Sequence, residues 1–137
     1  MDDRLEHLRG IPLFADLDDQ ALERVAAIAS DTDVPAGTVL IERGQPGLGM
    51  FVILDGMLRA EVRDRDAELG PGEFVGELSL LVDDIPRTVR VRAQTPVRVL
   101  AINRADFLAL LESEPRIATA MLRVVATRLA QMLDLPQ

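Results

Sequence analysis

The residues best suited to chemistry lie in one stretch of the sequence, GPGEFVGELSLLVDDIPRTVRV, at positions 70–91. Gly70, Gly72 and Gly76 punctuate a loop whose backbone can come close to a ligand, and GELSLLV predicts a short helix. A helix opening at Gly76, Glu77, Leu78 and Ser79 presents unpaired amide N–H groups and the positive end of its dipole, a combination that binds anions. Arg87 follows Pro86 at the start of the next apolar segment, and its guanidinium fork can hold two oxygens of the same anion. Glu77 is at odds with a bare anion. It fits a ligand that also carries a hydroxyl, because a carboxylate accepts that hydrogen bond and repels ligands bearing extra negative charge. As an isolated pair, Glu77 and Arg87 read first as a salt bridge. The glycines, the amide-rich helix start and Pro86 together favour a ligand site.

Composition narrows the chemistry further. The sequence has no Lys, Tyr, Trp or Cys, and His7 is its only histidine, in an N-terminal helical turn where it reads as solvated. Schiff-base, thiol and Ser–His routes are closed, as are disulfides and thiolate metal sites, and no metal or cofactor is expected. A net charge of −8 opposes binding of nucleic acid. No apolar run reaches membrane-spanning length, and the acidic start MDDRLEH differs from a secretory signal, so a cytoplasmic protein is expected.

Three blocks must position the 70–91 stretch, within one domain over 1–137. Residues 1–31 form a helical brace, in which Asp18 is the N-cap candidate and Leu22, Val25, Ala26 and Ala29 share a face. Residues 32–102 read as short strands, TVLIE, MFVILD, MLRAEV, TVRVRA and VRVLAI, broken by Gly, Pro and Asp. Asp55-Gly56 between two of them signals a hairpin, and Asp64, Asp66 and Glu68 read as a solvated hairpin tip. Met50, Met57, Met121 and Met132 read as core filler. Residues 103–137 read as two helices, with Asn103 and Ser113 as N-caps and Pro115 in the second helix's first turn. The fold class is mainly β: an antiparallel β-roll (jelly roll, double-stranded β-helix) with an N-terminal helix, a short helix in the 70–91 stretch and C-terminal helices.

One phosphate charge beside one ribose hydroxyl describes a cyclic nucleotide. The segment FVGELSLLVDDIPRTVRVRA resembles the phosphate-binding cassette of the cyclic nucleotide-binding domain family, found in catabolite activator protein, protein kinase A regulatory subunits and cyclic nucleotide-gated channels. IPLFADLDDQALERVA is similar to the family's N-terminal helix, ERGQPGLGMFVILDGMLRAEV to its first glycine-marked hairpins, and NRADFLALLESEPRIATAMLRVVATRLA to its closing helices. The resemblance implies that Gly76 allows close approach, Glu77 takes the ribose 2′-hydroxyl, and Leu78 and Ser79 present N–H groups to the phosphate. It also implies that Arg87 pairs with the exocyclic oxygens, Thr88 adds a hydroxyl, and Leu58 and Leu69 line an apolar purine pocket. Val89 stands where the family places a small residue, and no aromatic residue in the last helix is available to stack on a purine.

The implied function is a noncatalytic sensor of a 3′,5′-cyclic nucleotide, cAMP with cGMP as the other candidate, signalling through its C-terminal helix. That helix carries Met121, Leu122, Val125, Leu129 and Met132, a face that docks on the roll or on a second subunit. The implied partners are a homodimer mate or a fused or associated output domain, with no membrane. The alternative is a degenerate module that keeps the fold for protein–protein contact or dimerisation and binds no nucleotide. A carboxylate hydrolase is a third class, against which no two acidic residues stand in a catalytic spacing.

Overall fold

A computed structural model describes residues 3–44, 49–61, 66–76 and 89–133. Helix α1 (Asp3–Arg9), a 3-10 turn (Pro12–Phe14) and helix α2 (Asp19–Ile28) precede eight strands. These are β1 (Ser30–Val34), β2 (Val39–Ile41), β3 (Gly49–Asp55), β4 (Leu58–Glu61), β5 (Asp66–Leu69), β6 (Phe74–Val75), β7 (Arg90–Ala93) and β8 (Val97–Asn103). Helices α3 (Arg104–Ser113) and α4 (Pro115–Met132) follow. The strands form two four-stranded sheets in the orders β1-β8-β3-β6 and β2-β7-β4-β5, with every recorded pairing antiparallel. This is the β-roll with flanking helices that the sequence predicts.

The two sheets differ in pattern because they differ in what covers them. In β8, Val97 and Val99 face the second sheet while Leu100 and Ile102 lie under the helices; in β3, Ile53 faces inward while Met50 and Val52 meet the helices. With both faces buried, these strands read as nearly continuous apolar runs. The second sheet buries one face only. Leu58 and Ala60 on β4 and Val91 and Ala93 on β7 point inward, alternating with the more exposed Arg59, Glu61, Arg90 and Arg92.

The helical layer packs through Leu8, Phe14, Leu22, Val25, Phe107, Leu110, Ile117 and Met121 onto the covered side of the first sheet. Asp18 caps α2 by accepting from the Ala21 amide at 2.9 Å, and Asn103 caps α3 through the Asp106 amide at 2.9 Å, both as the sequence predicts. Ser113 does not cap α4. It is the last residue of α3, where its hydroxyl donates to the Leu110 carbonyl, and the residue at the break is Glu114. The Glu114 side chain is buried and pairs with Arg24 of α2 at 2.5 Å and Arg116 at 3.5 Å. No described helix is long and apolar enough to cross a membrane.

Two other expectations are corrected. Asp55-Gly56 is not a hairpin turn: β3 and β4 belong to different sheets, so the chain turns a corner there. Gly56 has φ +88°, and a Cβ at this position would lie 2.3 Å from the Pro96 carbonyl oxygen, while the Met57 amide donates to Thr95 Oγ1 at 3.0 Å. Asp66 and Glu68 do belong to an exposed hairpin, β4–β5, but stand in its strand rather than at its tip. They lie within β5, opposite Glu61 and Arg59 of β4, where the outward face is wet and acidic side chains are tolerated. Asp64 lies outside the described residues.

Candidate functional site

Residues 77–88 lie outside the described residues, and with them Glu77, Leu78, Ser79, Arg87 and Thr88. The described flanks of that segment belong to different sheets: β6 leads in from the first and β7 leads out into the second. The approach to β6 is a tight turn, Gly70-Pro71-Gly72-Glu73, closed by the Glu73 amide on the Gly70 carbonyl at 3.1 Å. Proline second and a glycine of φ +90° third are the requirements of a type II turn. The Glu73 carboxylate accepts from the Gly70 amide at 2.7 Å, and the turn is tied to β3 by Gly72 N–H to Ile53 O at 2.8 Å and Ile53 N–H to Glu73 O at 2.9 Å. Gly70 and Gly72 therefore serve the turn rather than a ligand. Gly76 remains: with φ +95° directly after β6, it redirects the chain where the cassette begins.

Between the two flanks the roll offers an apolar wall. Leu58 and Leu69 stand opposite each other across β4 and β5, Leu58 fully buried and Leu69 half-buried. Both pack in the inter-sheet cluster with Val75, Val91 and Ala93, and half-buried Val89 joins the same cluster from the other flank. Four of the nine residues read from the sequence are thus described. Leu58, Leu69 and Val89 come together at one cluster, and Gly76 follows Val75 of that cluster.

The arginines after the cassette have other work. Arg90 Nε donates to Glu42 Oε1 at 2.9 Å, its guanidinium lies 3.8 Å from Glu61, and Arg92 lies 3.6 Å from the same carboxylate. The hydrogen bond from Arg90 is the main reason the Glu42 carboxyl is held below its ordinary pKa, and Glu42 in turn raises that of Arg90. These pairs lie on the outward face of the second sheet, away from the inter-sheet wall.

One contact at the site has no local sequence signal. Arg128 of α4 donates through Nη2 to the Phe74 carbonyl at 2.7 Å, and its guanidinium carbon lies 4.7 Å from the centre of the Phe74 ring. The far half of the last helix is thereby fastened to the strand that enters the cassette.

Comparison with known proteins agrees with this architecture. The sequence profile of the cyclic nucleotide-binding domain matches residues 32–114. A cyclic nucleotide-gated potassium channel of Rhizobium etli is 36% identical over 118 residues, covering 86% of this chain and 33% of the channel. The chain thus spans about a third of the length of such curated relatives. The cAMP-bound structure of PfPKA-R superposes with a TM-score of 0.81 at 25% identity, covering 97% of this chain and 47% of that one. The regulatory subunit of a cAMP-independent protein kinase A from Trypanosoma brucei superposes with a TM-score of 0.76 at 27% identity, covering 94% and 48%. With the roll, the helices and the profile match in agreement, the chain belongs to the cyclic nucleotide-binding domain family.

Proposed function

We propose that this chain is a noncatalytic sensor that binds a 3′,5′-cyclic nucleotide, cAMP in preference to cGMP, and reports occupancy through α4. The observation that carries the reading is the placement of the two cassette flanks. Gly76, in a conformation that other residues adopt only under strain, opens the segment beside the apolar cluster holding Leu58, Leu69 and Val89. In this reading Leu78 and Ser79 offer amides to the phosphate, Arg87 pairs with its exocyclic oxygens, Thr88 adds a hydroxyl, and Glu77 accepts the ribose 2′-hydroxyl. Leu58 and Leu69 form the apolar side against which the base rests. Val89, packed in the same cluster, bounds the pocket on the phosphate side.

The module is cytoplasmic in this reading, binds neither nucleic acid nor membrane, and delivers its output to an attached or associated domain or to a second copy. Exposed Leu122, Leu129 and Leu133 at the far end of the chain give α4 and its end the apolar surface on which that output would be read. The domain division, a brace over 1–31, a roll over 32–102 and closing helices over 103–137, belongs to the same proposal.

The test is calorimetric titration of the protein with cAMP, cGMP and 5′-AMP, alongside Arg87→Ala. Cyclic nucleotides should bind, 5′-AMP should bind far more weakly, and the variant should lose roughly 10- to 150-fold in affinity, the equivalent of one charge-assisted hydrogen-bond site. Undiminished binding by Arg87→Ala would remove the site assignment.

A second reading, a fold retained for protein contact without nucleotide, is favoured by two observations. The T. brucei neighbour is named as cAMP-independent, and α4 supplies no aromatic ring. Absence of binding to every nucleotide in the titration would establish it in place of the first.

A further inference from the structure

The last helix is held in two different ways along its length. Its first half is anchored by burial: Ile117 and Met121 are in the helical core, and Arg116 donates to the Asp16 carbonyl at 2.9 Å. At the break before it, Glu114 is pinned between Arg24 and Arg116. Beyond Met121 the packing thins, and Leu122, Leu129 and Leu133 face solvent. In that second half Arg128 reaches back to Phe74 with both a hydrogen bond and a ring contact.

Phe74 is an unusual place to fasten a helix. It belongs to a strand of two residues whose described pairing is Phe51 with Val75 and Val52 with Phe74, and Gly76 breaks the strand at once. So short a strand has little of its own to fix the direction in which the cassette leaves. The guanidinium supplies a second hold, gripping the Phe74 carbonyl from the helix side while the buried ring keeps the guanidinium plane in place.

We infer that Arg128 couples the cassette to α4 as a positioning residue that acts through Phe74. This rests on the cyclic nucleotide reading of residues 76–89. A shift of β6 on occupation of the cassette moves the Phe74 carbonyl and ring, and Arg128 carries that shift to the solvent-facing half of α4. The pinned break at Glu114 makes the first half of the helix the fixed part. The coupling therefore works by fastening or releasing residues beyond Met121, not by swinging the whole helix about residues 113–115.

The experiment uses the whole chain as wild type, Arg128→Ala, Arg128→Lys, Phe74→Leu and, as a control, Arg123→Ala, which removes an exposed charge from the same helix. Each is titrated with cAMP, and amide hydrogen exchange is followed with and without saturating nucleotide after circular dichroism has shown the fold intact. In wild type and Arg123→Ala, cAMP should slow exchange in both residues 74–89 and residues 122–133. Arg128→Ala should bind roughly tenfold more weakly and, when saturated, protect 74–89 while leaving 122–133 unprotected. Arg128→Lys keeps the charge and loses the planar fork, so it should behave like Arg128→Ala; Phe74→Leu keeps the carbonyl and should be intermediate. Full protection of 122–133 in saturated Arg128→Ala would overturn the inference while leaving nucleotide binding intact. Absence of binding by wild type would instead overturn the functional reading, and the inference with it.

Discussion

Gly56 gives the sharpest test of how the roll is built, because its substitution cost follows from geometry. An alanine there must adopt φ +88° and place its Cβ 2.3 Å from the Pro96 carbonyl oxygen, 3.0 Å from Thr95 Oγ1 and 3.0 Å from the Val97 Cα. Gly37 is the matched control, with φ +89° and nothing within 4 Å of the added carbon. Gly37→Ala therefore carries the backbone strain alone, about 1–2 kcal/mol. Gly56→Ala carries the same strain plus a collision with main-chain atoms that cannot rotate away, about 1–3 kcal/mol more. The gain from stiffening the unfolded chain is common to both variants and cancels in the comparison. Urea unfolding of the two variants should then differ by about 1–3 kcal/mol, and their melting temperatures by roughly 4–12 °C for a domain of this size. Equal costs at the two glycines would refute the close approach to Pro96, and with it the sheet-to-sheet corner; a plain hairpin turn at Asp55-Gly56 predicts that equality.

Further outcomes follow from the same geometry and from the proposed site. Glu77→Gln should weaken cAMP binding and narrow the discrimination between cAMP and its 2′-deoxy analogue in parallel titrations; unchanged discrimination would give Glu77 another role. Thr88→Ala should cost cGMP more affinity than cAMP if the hydroxyl reaches the base, and equal losses would confine it to the phosphate. Arg24→Ala should destabilise by about 1–2 kcal/mol because it takes the nearer partner from a buried carboxylate that keeps Arg116, whereas Glu114→Gln leaves arginines that water can solvate and should cost less; the reverse order in denaturant unfolding would refute this. Glu42 has its folded-state pKa lowered chiefly by the Arg90 hydrogen bond, so its stabilisation is present above the unfolded carboxylate pKa and is lost as pH falls through the folded one. The stability gap between wild type and Glu42→Gln should accordingly be widest at neutral pH and close in acid, when urea midpoints are measured across that range.

The sequence by itself determined those features whose cause is local. Asp18 and Asn103 cap their helices through amides three residues on, and the alternation of β4 and β7 follows from one buried face. The family was legible for the same reason, since its cassette is a contiguous string of residue types with fixed spacing. Tertiary structure decided what depends on partners distant in the chain. The strand Ser30–Val34 carries an almost wholly exposed SDTDV and has no apolar period to announce it; it exists because β8 lies alongside. Asp55-Gly56 has the local chemistry of a hairpin, yet the strands it joins find partners in different sheets, and pairing over long separations outweighs a turn preference. Gly70 and Gly72 looked like ligand-approach glycines until their hydrogen bonds to Glu73 and β3 assigned them to a turn. Arg128 stands in the sequence as one more helical arginine. Its contact with Phe74 arises only when α4 lies along the roll, because a guanidinium at the end of a long side chain takes its role from what it reaches.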